Sequence, residues 1–338
     1  MKIILSFIVI IIRISAMNGQ SSYPTLGKII KYDNALDKLI TSDAKIEVLS
    51  SGYIWTEGPV WVKKGNYLLF SDVPANTIYQ WKQGKSEGEV SVFLKPSGYT
   101  GVGFYSNEPG SNGLIINQKG ELVACEHGDR RVTAMPLNTG GKRTLADNFQ
   151  GKRFNSPNDV VQHSSGAYYF TDPPYGLPKQ EKDSGIELPF GVYRIGAEGK
   201  VSQIINDLNR PNGLAFSPDE KILYVAQSDP EQAFIMAYPV NADGSVGKGK
   251  VFYDATPAVK EGKLKGIPDG LKIDKQGNMF TTGPGGVLVI SPEAKLLGII
   301  NTGEATANCT WGDDGSTLYI TADMYLCRIK TLTKGVGF

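Results

Sequence analysis

Residues 57–72 read EGPVWVKKGNYLLFSD, and the same plan returns five more times along the chain. Each copy opens on an acidic or amide residue, runs through apolar residues to a turn, and continues into a second run rich in Tyr, Phe, Leu and Val. The later copies open at Asn112 (NGLIINQKGELVACEH), Asn158 (NDVVQHSSGAYYFTD), Asn212 (NGLAFSPDEKILYVAQSD), Asp269 (DGLKIDKQGNMFTTG) and Asn308 (NCTWGDDGSTLYITAD). Successive openings are 55, 46, 54, 57 and 39 residues apart. Eight positions after the opening residue stands Gly65, Gly120, Gly166 or Gly277 in four units; the fourth unit has its Asp219-Glu220 turn there, and in the last Gly315 comes one residue early. Gly or Asp at the centre of a short turn between apolar runs marks a β-hairpin.

Further apolar runs follow at 77–81, 192–195, 235–238 and 287–290, so each unit has the makings of a four-stranded sheet. Repeats of about 40–50 residues with four strands are β-propeller blades. The expected fold is therefore all-β, a six-bladed propeller. The second runs, such as Ile222-Leu223-Tyr224-Val225, are apolar without alternation, as sheets covered on both faces require. The last unit has only three strands before the chain ends, so a segment at 45–50 is expected to supply its fourth and close the ring. Closure hides strand edges that would otherwise pair with other chains. It also places Cys309 and Cys327 on first and third strands, too far apart for a disulfide. With Cys125 they are read as small buried hydrophobes.

The 338 residues carry 35 Lys+Arg against 34 Asp+Glu. That balance excludes a nucleic-acid binder, which needs a basic surplus. The 40 glycines follow no G-X-Y period, which excludes collagen. Met1-Lys2, an apolar run over 3–12 and Arg13-Ile14-Ser15-Ala16 fit a secretory signal peptide cleaved near Ala16, too short to span a bilayer. Arg13 after the apolar run is atypical and leaves an uncleaved anchor as the alternative. The expected organisation is a leader over 1–16, a lead-in over 17–44, one propeller domain over 45–330 and a tail over 331–338. Localisation is then secreted or periplasmic, with no membrane span in the mature chain.

Equivalent blades place the six opening residues around one mouth of the central channel. Glu57, Asn112, Asn158, Asn212, Asp269 and Asn308 all carry a side-chain oxygen, and none is basic. Converging buried oxygens without a cation repel and lose hydration. A hard divalent ion resolves this: Ca2+ takes six to eight oxygens at about 2.3–2.6 Å. Only two histidines, His127 and His163, are present, which disfavours zinc or copper. The alternative is that Asn and Asp merely shape strand-entry turns, which does not account for Glu57.

The stretches Thr56-Glu57-Gly58-Pro59, Ser156-Pro157-Asn158-Asp159, Arg210-Pro211-Asn212-Gly213 and Pro268-Asp269-Gly270-Leu271 resemble the regucalcin (senescence-marker protein 30)/gluconolactonase family. HGDRR (127–131), FTDPPYG (170–176) and GDDGSTLYIT (312–321) look closest to its bacterial-type gluconolactonases. The resemblance spans about 55–330. It implies a six-bladed propeller with one divalent ion, usually calcium (Mg2+ and Mn2+ being alternatives), held by Glu57, Asn158, Asn212 and Asp269. Asn112 and Asn308 then sit behind these ligands. In the regucalcin-like branch an Arg in R-F-N-D reaches substrate; here Ser156-Pro157 separates Arg153-Phe154-Asn155 from Asn158-Asp159. Asn158 is taken as the ligand because Asn155 misses the spacing to Gly166.

The chemistry so implied is hydrolysis of a sugar lactone, the ion polarising the ring carbonyl and Asp269 serving as base toward the attacking water. No GxSxG or Ser-His-Asp signature supports a serine esterase. A phosphotriesterase-like hydrolase on the same site, or a non-catalytic binding propeller stabilised by its metal, are the alternatives. His127 ends a second run where other blades carry Asp72, Asp172 or Asp323, and either touches substrate or is a satisfied turn histidine. The segments 96–111 and 173–190 are rich in Gly, Pro and aromatics. They read either as covers over the channel, with Tyr99, Phe104 and Tyr175 facing substrate, or as ordinary connections between blades.

Overall fold

A computed structural model describes residues 23–84 and 88–338. The expected leader lies outside the described residues. Six antiparallel sheets are arranged as the blades of a propeller. Blade 1 runs Thr56–Val62, Tyr67–Asp72, Thr77–Gln83 and Gly88–Leu94 from the channel outward. Blade 2 uses Ser111–Ile116, Glu121–Glu126, Arg131–Pro136 and Arg143–Ala146. Blade 3 uses Val160–Gln162, Tyr168–Asp172, Gly191–Ile195 and Val201–Ile205, and blade 4 Pro211–Phe216, Ile222–Gln227, Phe234–Pro239 and Lys250–Asp254. Blade 5 is built from Leu271–Ile273, Met279–Gly283, Gly286–Ile290 and Leu296–Asn301. Blade 6 combines Thr306–Gly312, Thr317–Ala322 and Tyr325–Lys330 with Ile46–Ser51 from the other end of the chain. The join is antiparallel, with Tyr325 opposite Ser51 and Arg328 opposite Glu47.

Residues ahead of the closing strand also belong to the ring. Lys28–Lys31 adds a fifth strand to blade 5, and Thr25–Leu26 a fifth to blade 6. After them, ahead of the closing strand, a short 3-10 turn, Asn34–Lys38, begins at Asp33, whose Oδ1 accepts from Ala35 N. The C-terminal residues pack back likewise. Leu332 N donates to the Leu39 carbonyl, Thr333 Oγ1 to Asp274 Oδ2 at 2.8 Å, and Lys63 Nζ lies 4.0 Å from the centre of the Phe338 ring.

The core lies between blades. Six hydrophobic clusters each fill one seam. Leu68, Leu69 and Phe70 are consecutive and all inaccessible, because a middle strand meets a neighbouring blade on each face. At the seam of blades 6 and 1, Trp61 stacks on Tyr319 with ring centres 5.3 Å apart. At the seam of blades 5 and 6, Phe280 meets Trp311 edge-on at 4.8 Å. Cys125, Cys309 and Cys327 are free and buried; Ile320 stands between the last two, paired to Cys309 on one side and Cys327 on the other.

The inner strands deliver the opening residues through a shared irregularity. Pairing of first to second strands slips between Glu57 and Val60, Ser111 and Leu114, Pro211 and Leu214, and Thr306 and Asn308. Such bulges re-aim a side chain out of the pleat, and here they turn it to the channel. In four blades the residue after the opening is a glycine packed on the next inner strand. A Cβ on Gly58 (φ +50°) would lie 1.9 Å from the Asn112 carbonyl oxygen, and one on Gly213 2.3 Å from that of Asp269. Gly113 N donates to the Asn158 carbonyl at 2.7 Å, and Gly270 N to that of Ala307 at 2.8 Å. The inner strands of blades 1, 2, 4 and 5 therefore rest backbone to backbone on the next.

Candidate active site

Glu57, Asn112, Asn158, Asn212 and Asp269 converge at one end of the channel on a cavity of about 300 Å³. Tyr175 and Glu108 join the lining from the two long connections, and Trp55, Arg210, Ser228, Pro230 and Ile267 complete it. The approach to several opening residues is clamped by the residue ending the second strand of the same blade. Asp72 accepts from Ile54 N and Trp55 N, Asp172 from Asn155 N, and Gln227 Oε1 from Asn209 N. The register puts Glu126, not His127, in that place in blade 2, since Ser111 faces Glu126 as Thr56 faces Asp72. The expected equivalence of His127 with Asp72 is thus displaced by one residue, because His127 starts the turn after the strand.

The donor atoms point consistently. Glu57 Oε2 accepts from Gly58 N at 2.8 Å and from Asn308 Nδ2 at 3.2 Å, so Oε1 is the oxygen left over. Asn212 Nδ2 donates to Ser228 Oγ at 3.0 Å, and that hydroxyl donates to the Pro268 carbonyl, which orients the amide with its oxygen away from Ser228. Asp269 Oδ1 and Asn112 Oδ1 are buried without a partner among the described residues. Burial, and after it the neighbouring Asp159, pushes the Glu57 carboxyl up to about 8. Burial and then Glu57 push Asp269 well above the usual carboxylate range. Burial alone pushes Glu108 up to about 7. Asp269 Oδ1 and Asn112 Oδ1 are thus acceptors with no donor to serve among the described residues. Two carboxylates and several neutral amide oxygens suit a hard divalent cation. No group of three or more His, Cys, Asp and Glu side chains able to hold a metal occurs among the described residues, so amides would have to complete the coordination.

Other expected residues lie outside the lining. Asn308 is buried and braces Glu57. Asn155 is committed elsewhere, its Nδ2 donating to Asp172 and to the Leu188 carbonyl, in keeping with Asn158 as the residue that faces the cavity. Arg153 is exposed and donates to the Asp129 carbonyl at 2.9 Å. Tyr99 stacks on Tyr105 and, with the largely exposed Phe104, borders a separate depression beside the cavity. His127 is wholly buried and held neutral, burial pulling its pKa down to about 4. Its Nδ1 lies 3.2 Å from the Glu108 carbonyl, and its Cβ would be 2.4 Å from any Cβ placed on Gly176. It therefore supports both connections, one carrying Glu108 and the other Tyr175.

Trp55, Arg210 and Ile267 were not singled out in the sequence. Each stands two residues before an opening residue, the spacing at which an extended chain returns to the same side. That regularity could have found them. Glu108 offered no comparable signal, since it comes from an irregular connection.

The fold and the site together define a six-bladed propeller whose channel mouth gathers carboxylate and amide oxygens beside one arginine, Arg210. Residues 55–323 match the family model described as the SMP-30/gluconolactonase/LRE-like region, and the chain belongs to that family. It is 41% identical over 325 residues to the gluconolactonase of Zymomonas mobilis, covering 94% of this chain and 89% of that one. A gluconolactonase structure from Xanthomonas campestris superposes with a TM-score of 0.77 at 29% identity, covering 91% of this chain and 97% of the other. A structure described as a calcium-binding protein, regucalcin, from Agrobacterium tumefaciens shares the fold with a TM-score of 0.66 at 18% identity, covering 86% and 94% of the two chains.

Proposed function

We propose that this protein hydrolyses a sugar lactone with the help of one divalent cation, most simply Ca2+. The observation that carries the proposal is the convergence of Glu57, Asn158, Asn212 and Asp269 on one cavity, with unpartnered oxygens and carboxylates raised by burial. The relatives named gluconolactonase support the reaction class, and the regucalcin described as calcium-binding supports the ion. A cation bound by these four residues would supply a Lewis acid for the lactone carbonyl.

The remaining roles fall to the chain. Asp269 takes the proton of the attacking water, since its residue lines the cavity, its Oδ1 is unpaired, and burial and the Glu57 carboxyl raise its pKa. The water oxygen bonds to the carbonyl carbon, the bond from that carbon to the ring oxygen breaks, and the ring oxygen leaves as a hydroxyl after receiving a proton. Trp55 and Tyr175 offer aromatic surface for the sugar ring. Asn308 and Ser228 hold Glu57 and Asn212 in their orientations.

Hydrolysis of D-glucono-1,5-lactone, measured before and after chelation and again after calcium is restored, tests the reading. Loss on chelation and recovery on addition are expected. Activity insensitive to chelation would remove the metal from the mechanism; absence of activity on any lactone would favour a non-catalytic binding propeller.

A further inference from the structure

Arg210 is the single basic side chain lining the cavity, alongside Glu57, Glu108 and Asp269. Its guanidinium is already engaged. Nη2 lies 2.6 Å from Glu181 Oε1, and Glu181 sits on a short 3-10 turn, Gln180–Lys182, of the connection that also carries Tyr175. One carboxylate at hydrogen-bond distance from one guanidinium leaves the pair with no net charge to offer a ligand. A divalent cation held by Glu57 and Asp269 would cancel their two charges.

Charge on the incoming molecule therefore decides its fate here. A neutral polyhydroxy lactone meets hydrogen-bonding oxygens and two aromatic rings. A lactone bearing a phosphate, sulfonate or second carboxylate meets acidic groups and an arginine already occupied. Like-charge juxtaposition is an efficient means of rejecting a wrong partner. We infer that this site selects uncharged lactones, and that Glu181 enforces the choice by withholding Arg210 from anionic substituents. The inference rests on the lactonase reading and names its substrate class.

The test compares D-glucono-1,5-lactone with its 6-phosphate in the intact protein and in Glu181→Gln. Glu181 is solvent-touched and outside the cavity lining, so its replacement leaves the fold in place. The intact protein should prefer the neutral lactone by at least about tenfold in kcat/KM. Glu181→Gln should keep the neutral reaction within about twofold and lower KM for the phosphorylated lactone about fivefold, the scale of one partly solvated charge pair. That gain should vanish when Arg210→Gln is added. Equal use of both lactones by the intact protein, or an unchanged ratio in Glu181→Gln, would overturn the inference while sparing the lactonase reading. Hydrolysis of neither lactone would overturn the reading and the inference with it.

Discussion

Replacing Glu57 by Gln removes a charge the fold can hold only at a cost, and that cost can be measured as a function of pH. Without a cation, burial and neighbouring acids raise the Glu57 carboxyl from 4.5 to about 8. Across that interval the folded chain keeps a proton that the unfolded chain has released. Stability present below pH 4.5 is therefore lost as pH rises toward 8. The interval corresponds to roughly 5 kcal/mol at about 1.4 kcal/mol per pH unit, or about 10 °C in Tm at ~2 °C per kcal/mol. Glutamine retains the acceptor for Gly58 N and Asn308 Nδ2 but cannot ionise. In chelator, urea unfolding followed by tryptophan fluorescence should show wild-type stability falling between pH 5 and 8 by several kcal/mol more than that of Glu57→Gln. A divalent cation at ~1,000 times its Kd should return about 4 kcal/mol to the wild type, and much less to the variant. Superimposable pH profiles for the two proteins in chelator would refute the reasoning, since Glu57 would then carry no strained charge.

Asp269→Asn should leave the fold intact while lowering kcat by about 10²–10⁴-fold, the usual weight of a general base; steady-state kinetics on a neutral lactone decides, and retained turnover removes Asp269 from that role. On the acid side His127, held neutral to about pH 4, makes stability fall as pH drops from 6.5, by roughly 3 kcal/mol in all, because the unfolded state binds the proton first; His127→Gln should flatten that limb of the denaturation profile. Gly58→Ala should cost about 1–2 kcal/mol through its left-handed backbone alone, and more through the collision with the Asn112 carbonyl, measured by urea unfolding. Cys125, Cys309 and Cys327 are buried, and burial raises each thiol pKa. A thiol reagent should find none of them in the native protein and all three in denaturant.

The propeller was legible because its repeat is written in two registers at once, the oxygen-bearing residue that opens each inner strand and the turn eight positions later. Both are local properties, set by strand length and hairpin chemistry. The five cavity-lining oxygens followed from the same count, and so did the preference for Asn158 over Asn155. Residues on the long connections were harder to place. Tyr175 faces the cavity, whereas Tyr99 and Phe104, equally aromatic and equally close to glycines, face a neighbouring depression. Their direction depends on what the connection packs against, namely His127 and the Asn76 side chain, and no periodicity encodes that. The strands at Thr25–Leu26 and Lys28–Lys31 escaped for another reason: they are two and four residues long, and only pairing makes them strands, the first with the closing strand at 46–51 and the second with Leu296–Asn301.

The composite sixth blade also sets an order of events during synthesis. Residues 46–51 leave the ribosome early, yet their partners at 325–330 are made only after the strands of the other five blades. Blades 1 to 4 each have all their strands within one continuous stretch and can complete their sheets as they emerge. The ring cannot. Until residues 325–330 are free, the edge of Ile46–Ser51 and the seam that Trp61, Phe70, Trp81 and Tyr319 share with Leu49 and Leu326 stay open. Closing so long a loop adds entropy cost only logarithmically with length, so the delay is one of timing more than of stability. The channel mouth, whose Glu57 is braced by Asn308 across that last seam, is finished only once the sixth blade has joined the first.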